Sequence, residues 1–171
     1  MLRTPVDAME LETLAREVGA ALRKRGDVLV TAESCTGGWV AVAVTAISGS
    51  SEWFDRGFVT YSDAAKQDMV GVAGDILASR GAVSEATARA MATGALTRSA
   101  ATVALAITGV AGPAGGSADK PVGTVCFAWA NRQGVVRAET QLFVGDRETI
   151  RWQSVKHALT GVRDMLNAGT P

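Results

Sequence analysis

The chain has 171 residues, 47% of them hydrophobic, which is typical of a single folded domain with its own core. Seventeen basic residues balance seventeen acidic ones, so we expect no binding to nucleic acid or to an anionic membrane. No apolar run approaches the roughly 20 residues of a membrane span. The single histidine, His157, argues against a catalytic zinc site, and Cys35 and Cys126 are expected to be reduced thiols of a cytoplasmic protein.

Helical and strand-like patterns alternate along the chain. Apolar residues at helical spacing predict a helix over 7–25, and a short β-prone run predicts a buried strand over 28–32. The later predicted elements, in order, are a helix from 36 or 37 to 44, a strand over 58–61, a helix capped by Ser62 or Asp63, a helix over 85–98, strands over 103–108, 122–130 and 135–144, and a helix from Asp146 to about 167. This order predicts one α/β domain over 1–171, a three-layer α/β/α sandwich whose final hairpin makes the central sheet mixed.

Three segments rich in glycine and hydroxyl side chains lie at the ends of predicted strands. They span residues 31–38, 57–66 and 107–117. In open α/β sheets, ligands bind in the crevice at the carboxyl ends of the strands. We therefore expect the three segments to share one cleft.

The first segment places Ser34 near the start of a predicted helix. Free backbone N–H groups and the helix dipole favour negative charge there, which suits a serine nucleophile and the oxyanion that it forms. The alternative is a tight turn capped by serine and threonine. Cys35 is a second candidate nucleophile, but if Ser34 points into the cleft its neighbour points elsewhere, which favours a packed thiol.

The second segment places Lys66 in the first turn of a predicted helix. A cation at this position opposes the helix dipole, and partial burial would lower the lysine pKa further. A lysine that loses its proton readily is a general base for a serine hydroxyl, and Tyr61 is a candidate proton relay. The alternative is a surface lysine and an interface tyrosine.

The third segment suits a loop that folds around a phosphate or a ribose. Its glycine spacing matches neither a P-loop nor a dinucleotide-binding fingerprint. The alternative is a flexible connection, although so much glycine beside a buried strand favours a functional loop.

Several motifs together resemble one known family, the CinA C-terminal domain family, over essentially the whole chain. They are Thr-Ala-Glu-Ser-Cys-Thr-Gly-Gly at 31–38, Gly-Ser-Ser at 49–51, Val-Thr-Tyr-Ser at 59–62 with Lys66, Gly-Ala-Val-Ser-Glu at 81–85, Ile-Thr-Gly-Val-Ala-Gly-Pro at 107–113 and Lys-Pro-Val-Gly-Thr-Val at 120–125. The resemblance implies an α/β/α sandwich without metal or cofactor. It also implies deamidation of nicotinamide mononucleotide to nicotinate mononucleotide and ammonia, a step in pyridine nucleotide (NAD) recycling.

The resemblance also implies roles for particular residues. The family's Ser-Tyr-Lys constellation falls on Ser34, Tyr61 and Lys66. The chemistry of the reaction adds the substrate-binding residues: we expect the backbone N–H groups of Thr36, Gly37 and Gly38 to hold the oxyanion. The phosphate is expected against the loop that contains Thr108, Gly109 and Gly112, or at a helix N-terminus. Asp63 stands where the family often has asparagine, and its carboxylate would raise the pKa of Lys66.

Two rival functions and one partner question stay open at this point. The chain is alternatively a nucleotide-binding module without turnover, or a Ser-Lys amidase with another small-molecule substrate. We expect a homo-oligomer, with Trp53, Phe54 and Trp152 as exposed aromatic contacts.

Overall fold

The fold is an α/β/α sandwich, seen in a computed structural model that describes residues 5–168. The helices are α1 (Pro5–Arg25), α2 (Trp39–Thr45), α3 (Asp63–Val70), α4 (Gly74–Arg80), α5 (Glu85–Thr97) and α6 (Arg147–Ala168), with a single 3₁₀ turn at Ser50–Glu52. The strands are β1 (Leu29–Glu33), β2 (Phe54–Val59), β3 (Val103–Gly109), β4 (Thr124–Asn131) and β5 (Val136–Leu142). None of the helices within 5–168 has the length and hydrophobicity needed to cross a membrane.

The five strands form one mixed sheet in the order β2-β1-β3-β4-β5. β1 runs parallel to both β2 and β3, and its last residue, Glu33, pairs with Val59 and with Ile107. β4 pairs with β3 and with β5, both times antiparallel, and β4 and β5 form the predicted hairpin. Because β1, β2 and β3 are parallel, the loops that follow them meet at one edge of the sheet.

The two faces of the sheet bury side chains of different size. On β4, Phe127 and Trp129 face α1, α2 and α6, whereas Ala128 and Ala130 face α3, α4 and α5. The large rings need space on the opposing helix, and Gly161 of α6 provides it, because a Cβ there would lie 2.2 Å from the Trp129 ring. The small residues let α5 approach the other face closely.

Most of the predicted elements are confirmed, with shifted ends. Ser62, one of the two predicted caps, accepts a hydrogen bond from the Ala65 N–H at the start of α3. Ser84 caps α5 in the same way, through the Thr87 N–H. Two parts of the fold were not predicted: α4 and the first half of β2. β2 is an edge strand, so its polar residues 55–57 show none of the apolar pattern by which buried strands are recognised.

The expected surface position of Trp53 is wrong. Its side chain is 1% exposed and packs against α1 at Gly19, where a Cβ would lie 2.6 Å from the ring. Phe54 and Trp152 are partly buried against the same core. The three aromatic residues therefore do not form an exposed patch. They no longer support the expectation of a homo-oligomer.

Candidate active site

The three glycine- and hydroxyl-rich segments share one cavity, as predicted. It has a volume of about 280 Å³ and lies at the carboxyl edge of β1, β2 and β3. Its lining includes Ser34, Tyr61, Lys66 and the glycine-rich loop from Gly109 to Gly116. The volume is near the lower end of the roughly 300–1,000 Å³ typical of small-molecule sites, so the cavity suits a small metabolite.

Ser34 lies in a turn between β1 and α2, which we call the nucleophile turn (residues 34–38). Gly37 and Gly38 have φ angles of +61° and +91°, in the left-handed region that favours glycine. These two residues delay the helix, so α2 begins at Trp39 and not at 36 or 37 as predicted. The Ser34 N–H donates to the Ile107 carbonyl, which ties the turn to β3.

Glu33 supports this turn from the end of β1. Its carboxylate accepts hydrogen bonds from the Thr36 hydroxyl (2.7 Å) and from the backbone N–H groups of Val40 and Ala41 (3.0 Å each). It thereby caps α2, whose own N-cap residue has no side chain. Burial raises the Glu33 pKa, while these donors act in the opposite direction. Glu33 therefore supports the turn that carries Ser34.

Lys66 and Ser34 form a buried pair. The Lys66 Nζ lies 3.1 Å from the Ser34 Oγ, and the two residues are 1% and 7% exposed. Nζ also donates to the Thr60 carbonyl at 2.8 Å and lies 3.5 Å from the Tyr61 carbonyl. The pair has the separation that proton transfer from a serine hydroxyl requires.

The environment of Lys66 lowers the pKa of its amine. Burial lowers its pKa below the ordinary 10.5, and the nearby charge of Asp63 opposes this shift. Both directions agree with the predictions made from the sequence. A neutral amine has a lone pair that can accept the serine proton, so the lowered pKa makes Lys66 a better base near neutral pH.

Cys35 is the packed thiol that we expected. It is 6% exposed, and burial raises the pKa of its thiol to about 12. A thiol with such a pKa supplies almost no thiolate near neutral pH, so Cys35 is a poor nucleophile.

Tyr61 is at the mouth of the cavity and not beside the buried pair. Its side chain is 60% exposed, and its phenolic oxygen accepts a hydrogen bond from Arg147 Nη2 at 3.0 Å. Arg147 Nη1 also donates to the Gly112 carbonyl at 2.7 Å. Arg147 thus joins Tyr61 to the glycine-rich loop, and we call Tyr61 and Arg147 the rim pair.

The predicted substrate-binding residues divide into two groups. Thr108, Gly109 and Gly112 line the cavity, although the Thr108 hydroxyl already donates to the Ala82 carbonyl at 2.7 Å. The other group, Thr36, Gly37 and Gly38, lies outside the lining, and the Gly37 N–H donates to the Ser34 carbonyl at 3.0 Å. The cavity reaches the nucleophile turn at Ser34 and Cys35 instead.

The sequence analysis missed Arg147, which enters the cavity from the first turn of α6. A signal was present, because an arginine at the start of a helix opposes the helix dipole, the same argument that singled out Lys66. His157 is a packing residue: its ring contacts Phe127 and its Nε2 lies 2.5 Å from Glu139. Within residues 5–168, no three His, Cys, Asp or Glu side chains are grouped as metal ligands would be.

The fold and site together define an α/β/α sandwich with a buried serine–lysine pair beneath a small-molecule cavity. Residues 11–166 match the family model described as the CinA C-terminal domain. The chain belongs to the CinA C-terminal domain family.

Named relatives and a solved structure agree with this membership. The chain is 53% identical over 150 residues to "Nicotinamide-nucleotide amidohydrolase PncC" of Escherichia coli strain K12, covering 88% of this chain and 91% of that protein. It is 47% identical over 160 residues to the Pseudomonas putida protein of the same name, covering 94% and 98%. The crystal structure of competence/damage inducible protein CihA from Agrobacterium tumefaciens superposes with a TM-score of 0.89 at 48% identity, covering 92% of this chain and 96% of that one.

Proposed function

We propose that the protein hydrolyses the carboxamide of nicotinamide mononucleotide, giving nicotinate mononucleotide and ammonia, as part of pyridine nucleotide (NAD) recycling. The observation that carries the proposal is the 3.1 Å contact between Lys66 Nζ and Ser34 Oγ at the cavity. The names of the Escherichia coli and Pseudomonas putida relatives support the choice of substrate. In this reaction Ser34 is the nucleophile and Lys66 is the general base.

The first half-reaction breaks the amide bond. Neutral Lys66 accepts the Ser34 hydroxyl proton as Oγ attacks the carboxamide carbon. The carbonyl oxygen becomes an oxyanion, for which the backbone N–H of Cys35 is the donor best placed, since Cys35 lines the cavity and Gly37 is engaged with Ser34. The intermediate then expels ammonia, which takes its proton from Lys66, and leaves an ester on Ser34.

The second half-reaction releases the product. Lys66 is again neutral and takes a proton from a water molecule, whose oxygen attacks the ester carbon. The tetrahedral intermediate collapses with loss of Ser34 Oγ, and Lys66 returns the proton to that oxygen. The products are nicotinate mononucleotide and free enzyme, so atoms and protons balance over one turnover.

The rim pair is the proposed site for the phosphate of the substrate. Arg147 is an exposed guanidinium at the mouth of the cavity, in the first turn of the 22-residue helix α6. A guanidinium matches the geometry of a phosphate and binds it through charged hydrogen bonds. Among residues 5–168, the phenol of Tyr61 is hydrogen-bonded to Arg147 and not to Lys66. Tyr61 is therefore proposed to position Arg147 and the substrate.

The experiment that tests the function measures ammonia release from nicotinamide mononucleotide by protein treated with a metal chelator. We expect turnover by the wild type and a loss of at least about 10³-fold in Ser34→Ala, the size of effect seen when a serine nucleophile is removed. Ser79→Ala is the matched control, since Ser79 is exposed on α4 and does not line the cavity. It should retain the wild-type rate.

The outcomes separate the rival functions. Thermal stabilisation by nicotinamide mononucleotide without ammonia release would identify a binding module. Covalent modification of Ser34 by a general acylating reagent, with no turnover of nicotinamide mononucleotide, would identify an amidase with another substrate. Chelator-sensitive turnover would contradict a metal-free reaction, and wild-type rates in Ser34→Ala would contradict the role of Ser34.

A further inference from the structure

Arg151, one turn after Arg147 on α6, binds the nucleophile turn from outside the cavity. Its Nε donates to the Cys35 carbonyl at 3.1 Å and its Nη2 donates to the Thr36 carbonyl at 2.8 Å. The guanidinium also lies over the Trp39 ring, 5.2 Å from the centroid. One side chain therefore holds two consecutive peptide groups of the turn that carries Ser34.

The position of Arg151 is unfavourable for the helix itself. Arg151 lies four residues after Arg147 on α6, and like charges at i and i+4 destabilise a helix. Neither arginine has a carboxylate partner among the ion pairs of residues 5–168. Both arginines make their contacts in the site. The site therefore explains why arginine occurs at these two positions, whereas the stability of the helix does not.

The contacts of Arg151 determine which way the N–H groups of the turn point. A trans peptide is planar, so its carbonyl and N–H point in opposite directions. Because the Thr36 carbonyl faces Arg151, the Gly37 N–H of the same peptide points away from it and donates to the Ser34 carbonyl at 3.0 Å. The Ser34 carbonyl is thereby fixed, and the Cys35 N–H of that peptide must point away from Gly37.

The Cys35 N–H is the one that the reaction needs. It belongs to the residue after the nucleophile, and Cys35 lines the cavity. Its contact within residues 5–168 is with the thiol of Cys35 itself, whose pKa it lowers, and it donates to no other residue of that range. The cation also polarises the chain of peptide groups, because hydrogen bonds in series strengthen one another, and this makes the last N–H a stronger donor.

We propose that Arg151 is a positioning residue that orients and polarises the Cys35 N–H as the oxyanion donor for acyl transfer at Ser34. The inference rests on the proposed function for its chemistry. Arg151 touches neither the substrate nor the reacting atoms, so its effect is transmitted through the Thr36–Gly37 and Ser34–Cys35 peptide groups.

The kinetic test compares Arg151→Met with Arg151→Lys. We expect Arg151→Met to lower kcat about 10- to 100-fold, less than the roughly 10²–10³-fold loss of a whole oxyanion donor, with KM within about 3-fold. Arg151→Lys keeps a cation that can donate to one carbonyl and should recover most of this loss. Arg163→Met, at an exposed surface ion pair of the same helix, is the matched control and should match the wild type.

A second readout needs no substrate. The chain has two cysteines, so protein labelled with ¹⁵N-cysteine gives two backbone amide signals, from Cys35 and from Cys126. In Arg151→Met we expect the Cys35 amide proton to move upfield, because its peptide is less polarised, while Cys126 on β4 stays in place. Arg163→Met should move neither signal. If Arg151→Met does not fold, Arg151→Lys carries both measurements, with smaller shifts of the same sign.

The outcomes are distinguishable from failure of the proposed function. Wild-type kcat in a folded Arg151→Met overturns the inference, whether or not the Cys35 signal moves. An unmoved Cys35 signal overturns the orientation argument even if kcat falls. A wild type that releases no ammonia overturns the proposed function and the catalytic role of Arg151 with it, while the Cys35 signal still decides whether Arg151 sets the peptide orientation.

Discussion

The buried pair, Ser34 and Lys66, and the rim pair, Tyr61 and Arg147, face the same cavity but differ in exposure and in the groups that they contact. Lys66 is 1% exposed and its pKa is lowered by burial, whereas Tyr61 is 60% exposed. Arg147 is exposed too, and its contacts are a phenol and a carbonyl. A dry, closely packed pair suits proton transfer, and an exposed cation suits capture of a charged group from solvent. We therefore propose that the buried pair breaks the bond and that the rim pair recognises the substrate.

The largest expected effect after loss of Ser34 is at the buried pair. Lys66→Met should lower kcat about 10²- to 10⁴-fold, the contribution typical of a general base. In the wild type, kcat/KM should rise with pH through the lowered pKa of Lys66, below the ordinary 10.5, because only the neutral amine accepts the proton. Initial rates from pH 5 to 10 measure both effects.

Lys156→Met is the matched control for Lys66→Met. Lys156 is a partly exposed lysine on α6 that pairs with Glu10. It should retain the wild-type rate and pH profile. If folded Lys66→Met keeps the wild-type rate and the rise of kcat/KM with pH, Lys66 is not the general base.

A smaller and different effect is expected at the rim. Arg147→Met should raise KM for nicotinamide mononucleotide about 10- to 100-fold, the value of one charged hydrogen bond of about 1.5–3 kcal/mol, with a smaller change in kcat. For nicotinamide riboside, which lacks the phosphate, the variant and the wild type should have nearly equal kcat/KM. Steady-state kinetics on the two substrates measures the difference, with Arg163→Met again as the control.

Equal losses on both substrates would show that Arg147 supports the glycine-rich loop instead of binding the phosphate. The contact between Arg147 Nη1 and the Gly112 carbonyl makes this the specific alternative.

The smallest effect is expected at Tyr61. Its size distinguishes the two roles considered for this residue, proton relay and positioning. Tyr61→Phe removes the oxygen that Arg147 binds but leaves the Ser34–Lys66 contact intact. We expect kcat within about 3-fold of the wild type, since no proton passes through the phenol, and a rise of a few-fold in KM. A loss in kcat of about 10²-fold or more, as for a lost acid–base group, would instead establish Tyr61 as a proton relay.

The buried pair was predictable from the sequence, but the rim pair was predictable only in part. Ser34 and Lys66 follow the adjacent parallel strands β1 and β2, and parallel strands end at the same edge of a sheet. Tyr61 follows β2 as well, but a strand pattern does not give the direction of a side chain in the loop beyond it. Arg147 comes from the other end of the chain, and only the packing of α6 beside α2 brings it near.

The missed elements have a common physical cause. α4 packs no fully buried side chain, and β2 is an edge strand, so neither carries a hydrophobic pattern in its sequence. Trp53 was misplaced for the opposite reason: its burial depends on Gly19, a residue of α1 whose lack of a side chain has no periodic signature. Local patterns predict elements, while long-range fit decides which surfaces meet.

The most direct test of the central claim is mass spectrometry of the peptide containing Ser34, from enzyme quenched with acid during turnover of nicotinamide mononucleotide. We expect an adduct on Ser34 with the mass of nicotinate mononucleotide minus water in the wild type, and no adduct and no ammonia in Ser34→Ala. An unmodified Ser34 peptide, together with ammonia release by Ser34→Ala at the wild-type rate, would contradict the account, because the amide would then be broken without an acyl-enzyme.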